Sequence, residues 1–131
     1  MKIQLHEILV DQVNKNGKIY TKDVCDCIIN QINSTNLPIL VGTQGEKIDY
    51  RSLIGVVSNA EIENSRIPIN FQLKENSVFG GKVFNDMLKE NIKTGKVYAT
   101  LNISAKLDEN NKIQKEDLEV NYVSVHLKRE G

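Results

Sequence analysis

Leu53-Ile54-Gly55-Val56-Val57-Ser58-Asn59-Ala60 is a run of apolar, β-branched residues interrupted by one glycine. Such a run reads as a strand. Working outward, the strand reading extends over Leu53 to Ile62, and Arg66 to Leu73 forms a second strand in which Ile67, Ile69, Phe71 and Leu73 alternate. Glu63-Asn64-Ser65 between them is a short hairpin connection. Pro68 breaks the alternation and predicts an edge or a bulge. Further on, Val97, Ala99, Leu101, Ile103 and Ala105 alternate with Tyr98, Thr100, Asn102, Ser104 and Lys106, the longest two-sided strand pattern in the chain. Leu118 to Leu127 is a final strand, and Asp108 to Lys112 a polar turn before it.

The remaining elements follow the same logic. Ile3, Leu5 and Ile8-Leu9-Val10 read as a first strand. Asn14-Lys15-Asn16-Gly17 is a turn, because Asn and Gly accept positive φ at little cost. Thr21 caps a helix whose apolar stripe is Val24, Cys25, Ile28, Ile29 and Ile32. Pro38-Ile39-Leu40-Val41 holds a short buried strand, and Gly42 to Arg51 is a loop. Gly80-Gly81 opens a second helix as a tight entry, with Val83, Phe84, Met87, Leu88 and Ile92 as its buried stripe and Gly95 as its stop. The expected architecture is one α+β domain over residues 1–131, a mixed and mostly antiparallel sheet or partly closed barrel with two main helices.

Composition bounds the function. Lys plus Arg equals Asp plus Glu at 17 each. A chain with no basic excess lacks the charge for general nucleic-acid or anionic-membrane binding. Apolar runs are too short to span a bilayer, and Met1 to Glu7 alternates in polarity and does not read as a secretion signal. A reducing cytosol is then the expected setting, which predicts Cys25 and Cys27 as free thiols. Two thiols two residues apart on a helix point about 200° apart, so they do not share a metal ion. No cofactor is expected.

Several blocks, in one order, resemble the tailed-phage prohead protease family, capsid maturation serine proteases related in fold to herpesvirus assemblin. The likeness covers roughly residues 14 to 126. Asn14-Lys15-Asn16-Gly17-Lys18-Ile19-Tyr20 is similar to the family's entry to its first helix. Pro38 to Val41 resembles the strand before its histidine, and Ile54-Gly55-Val56-Val57 the strand after it. The helix from Gly81 to Ile92 resembles the one preceding the nucleophile strand, Ile103-Ser104-Ala105 falls where the family writes its nucleophilic serine, and Leu118 to Val123 resembles its closing strand. The resemblance implies the prohead-protease fold.

Three departures accompany it, one of them Asn121 where the family has a serine in its closing strand. Where the family places its histidine, this chain reads Gly42-Thr43-Gln44-Gly45, and neither Thr43 nor Gln44 takes a hydroxyl proton near neutral pH. Ser104 is followed by Ala105-Lys106 in place of a glycine that would let backbone N–H groups approach an oxyanion. A solvent-facing strand serine is the bland reading of Ser104, and a surface residue that of His126 and of His6. Glu119 matches an acidic family position with no imidazole to orient. No catalytic residue is expected; Ser104, Thr43, His126 and Glu119 are the vestigial or alternative site. The expectation is a non-catalytic capsid accessory or decoration protein in the virion capsid, binding the major capsid protein shell and other copies of itself. The alternative is an active maturation serine protease that cuts scaffold and capsid protein, with Ser104 as nucleophile and His126 as an unorthodox base.

Overall fold

In the computed structural model, residues 1–42, 47–74 and 81–128 are described. The elements run β1 (Lys2–Gln4), α1 (Lys22–Ser34), β2 (Pro38–Val41), β3 (Leu53–Ala60), β4 (Pro68–Leu73), α2 (Gly81–Lys93), β5 (Val97–Ser104) and β6 (Glu119–Leu127). A single 3₁₀ turn at Tyr50–Ser52 is the one departure from loop in the described part of 42–51, capped by the Asp49 carboxylate accepting from Arg51 N. The six strands form one sheet in the order β1-β4-β3-β2-β6-β5. All neighbours are antiparallel except β2 and β6. The architecture is α+β, a mixed curled sheet forming a half-barrel with two helices.

Local chemistry explains the helices and turns. The Thr21 hydroxyl accepts from Val24 N and starts α1. Val24, Cys25, Ile28 and Ile32 then bury one stripe of the helix in the core. Two amides fasten that stripe's flanks to the sheet. Asn33 exchanges two hydrogen bonds with the backbone of Ala60 in β3, and Gln31 bonds Leu118 O and Val120 N at the start of β6. The β3–β4 hairpin turns at Asn64 and Ser65, both at positive φ (52° and 62°), which is the geometry that suits the twist of a two-residue hairpin. Gly55 is required by packing. A Cβ there would overlap the Gln72 carbonyl oxygen of β4 and lie 3.0 Å from its carbon.

Three expectations are corrected. The α2 stripe is only partly buried: Leu88 lies in the core and Phe84 and Ile92 pack against it, while Val83 and Met87 are 73% and 57% exposed, because α2 meets the sheet chiefly at β5 and leaves that flank open. The first strand covers only Lys2–Gln4 rather than reaching Val10, because the chain changes sheet edges. After pairing with β4 it crosses to β5, where Leu5 bridges Ala99 and His6 N donates to Ala99 O at 2.8 Å. The first segment therefore lies across both edges of the curled sheet. The Pro68 strand is accordingly not an edge, since β1 covers one side and β3 the other, but the pairing with β3 does shift register between Val57 and Asn59, as the bulge alternative expected. Leu5 N donates to Ile67 O and Ile3 pairs with Ile69, so the intervening Pro68 turns its missing donor toward β3, past the end of that strand's pairing at Ala60.

Candidate functional site

The β5–β6 ladder carries the candidate residues. Its antiparallel register pairs Tyr98 with His126, Thr100 with Ser124, Asn102 with Tyr122, and, beyond a shift, Ser104 with Glu119. Val97, Ala99, Leu101, Val123 and Val125 turn into the core. The even-numbered residues on the opposite face line a concavity of about 650 Å³, together with Glu7, Arg66 and the Asn14–Asn16 turn. That turn is built for shape. The buried Asn14 amide accepts from Asn16 N and Lys18 N and donates to Glu7 O, and Gly17 follows at φ 75°. The Asn-x-Asn-Gly motif thus forms the rim of the site, and its asparagine acts on backbone.

Three rings adjoin in the concavity, two of them stacked and the third tilted at 47°. The His126 ring lies on Tyr98 with centroids 5.0 Å apart and planes 20° apart, and His6 sits 5.0 Å from Tyr98. His126 Nε2 is 3.3 Å from the Thr100 hydroxyl. Burial lowers the pKa of His126 below its ordinary value of 6.5, against a smaller upward pull from the Glu7 carboxylate. The ring is therefore mostly neutral near pH 7 and able to accept a proton.

Ser104 stands at the other end of the ladder. It is exposed, and its hydroxyl accepts from Asn121 Nδ2 at 3.0 Å, the same amide that donates to Asn102 Oδ1 at 2.8 Å. Asn121 reaches both because the register shifts between Asn102 and Ile103, leaving it without a cross-strand partner. Tyr98, the partner of His126, is six residues from Ser104, roughly 20 Å along a strand. The fold therefore does not bring Ser104 and His126 together. Glu119 does lie across from Ser104, on an exposed strand end. Thr43 lies outside the described residues. Gly42 before it donates its N–H to Val125 O at 2.9 Å, beside His126 and far from Ser104.

Thr100 is the functional candidate that sequence reading passed over, since it looked like any strand threonine. What joins it to His126 is cross-strand register, across the long connection from 105 to 118. Cys25 is fully buried, and burial pushes its thiol up to about 12, so it is inert; Cys27 is half-buried. Among the described residues no three His, Cys, Asp or Glu converge as a metal-binding group.

A solved structure is similar to this arrangement over nearly the whole chain. It is the bacteriophage T4 capsid assembly protease gp21, with a TM-score of 0.69 over 97% of this chain and 81% of that one. The fold is that of a phage capsid assembly protease. Sequence identity is 16%, so the likeness concerns the fold alone. No protein-family model matches the sequence, and no curated protein does. The sheet order, with β2 parallel to β6 and β5 at its side, is thus a protease-like scaffold on which this chain carries its own set of residues.

Proposed function

We propose that this chain is a phage capsid protein that works by binding the shell and not by cutting it at Ser104. The observation that carries the reading is the Ser104 environment: an exposed hydroxyl held by Asn121, roughly 20 Å along the ladder from His126. Hydroxyl attack needs a base within hydrogen-bond reach. The likeness to a T4 capsid assembly protease supports a setting in capsid assembly, and the major capsid protein is the partner of choice. Near-zero net charge also favours association over repulsion. The test is to quantify the chain in purified mature particles against the major capsid protein. A full-length band in fixed proportion is the expected result, with capsid and scaffold proteins uncut on co-expression. Absence from mature particles and presence in immature proheads would overturn the reading.

A second reading rests on the Thr100 hydroxyl, 3.3 Å from His126 Nε2 at the floor of the concavity. Thr100 would attack while the neutral imidazole takes its proton. This reading predicts specific cleavage of co-expressed capsid protein that is lost in Thr100→Val and His126→Gln and kept in Ser104→Ala.

A further inference from the structure

We infer that the first ten residues can exchange between copies of this chain, the segment of one copy closing the sheet of its neighbour. The inference goes beyond the capsid reading and does not depend on it. This segment is a separate strand laid into a slot between two sheet edges. On one side Lys2, Ile3 and Gln4 pair with Asn70, Ile69 and Pro68 of β4. On the other, His6 N donates to Ala99 O of β5. Leu5 sits between the two edges, bonded to Ile67 and bridged to Ala99, and is 0% exposed; beyond it Ile8 and Val10 are buried in the core, with Val10 N bonded to Ser65 O. An empty slot would leave two unpaired edges and an apolar trough, which another strand covers readily. The strand that fits by construction is this same segment from a second copy, since the pairs with β4 and β5, the ion pair of Lys2 with Glu63 (2.8 Å) and the buried leucine would all re-form between chains.

The hinge favours exchange. Asp11, which follows the segment, is held at φ 59°, a left-handed conformation that costs a residue with a side chain. Its N–H is tied to Tyr20 O and its carboxylate to Lys22 N. Extending the chain at Asp11 relieves that backbone angle while every contact of the segment is regained in the neighbour. Exchange of an identical element is a low-cost route to association, and a chain without net charge does not oppose it.

The test uses the full chain carrying Lys2→Cys and Asn70→Cys with Cys27→Ser. Lys2 and Asn70 face each other at a pair whose backbone bonds point away, the close spacing that a disulfide accepts. Unlabelled and ¹⁵N-labelled pools are mixed, incubated over a range of concentrations and oxidised. The expected result is covalent dimers of mixed mass in statistical ratio, rising with concentration. Bonds confined within single chains at every concentration would overturn the inference. Should the cysteine variant not fold, native mass spectrometry of the mixed unmodified pools replaces it. Mixed dimers whose yield drops in Asp11→Asn, which adopts positive φ more cheaply, support exchange; no mixed dimers, or a yield indifferent to that change, would refute it.

Discussion

Replacing Gly55 with alanine should be among the most damaging single-methyl changes in this protein. The added Cβ would overlap the Gln72 carbonyl oxygen and sit 3.0 Å from the Gln72 carbonyl carbon and 3.1 Å from Leu73 Cα. All three are backbone atoms, so no side chain can rotate away. Relief requires β4 to back off from β3 at Gly55↔Leu73 and Val56↔Gln72. Losing about two ladder bonds costs about 2 kcal/mol, and overpacking adds about 1–3 kcal/mol. The alanine recovers about 0.4–1 kcal/mol through the unfolded chain. The net loss is about 2–5 kcal/mol, a large part of the roughly 5–15 kcal/mol expected for a domain of this kind. At about 3–5 °C per kcal/mol for this size, Tm should fall by about 6–25 °C. Urea unfolding followed by far-ultraviolet circular dichroism measures it, with Gly95→Ala as control. Gly95 also resists substitution, but for its φ of 73° in open space, at about 1 kcal/mol. A Gly55→Ala loss no greater than that of Gly95→Ala would refute the steric argument.

Other outcomes follow from the same structure. His126, with its pKa depressed by burial, should titrate below 6.5 by NMR; the stability this neutral ring confers is complete above pH 6.5 and drains away as pH falls toward the folded pKa, and a midpoint at or above 6.5 would contradict the half-buried stack. Because the Cys25 thiol is pushed up to about 12 inside the core, a thiol reagent at pH 8 should modify Cys27 in the native protein and Cys25 only on unfolding; equal rates would show the α1 face to be open. Truncating Ile28, fully buried under the sheet, to alanine should cost about 2–5 kcal/mol in urea unfolding. Asn14→Ala removes an amide bonded to Glu7, Asn16 and Lys18 and should cost about 1–3 kcal/mol, with unchanged stability the contrary result.

Most elements of the fold were legible because they depend on local patterning. The Thr21 cap, the stripe from Val24 to Ile32 and the alternation from Val97 to Ser104 each state a face that neighbours in sequence are enough to imply, whereas the tight approach at Gly55 exists only once β4 is paired beside it. Pro68 misled because its ring reports only that one backbone donor is missing; whether that costs a rung depends on where the adjoining strand stops, and β3 stops at Ala60. The first strand ends early because Leu5 leaves the pairing with β4 to bridge β5 and Val10 goes on to the β3–β4 turn and Tyr20, a change of partners that alternation along one strand does not reveal.

The site was less legible than the fold. That Ser104, Thr100 and His126 lie on strands was plain from the sequence, but which hydroxyl meets the imidazole was not. Register between β5 and β6 is set by the packing of Val97, Ala99, Leu101, Val123 and Val125 in a shared core, across a connection long enough to allow many pairings. Tertiary structure placed His126 against Thr100 and left Ser104 to Asn121. Periodicity tells each strand which way to face, because that preference acts within a few residues of chain; only the assembled sheet decides what stands opposite, because distant side chains must first share one interior.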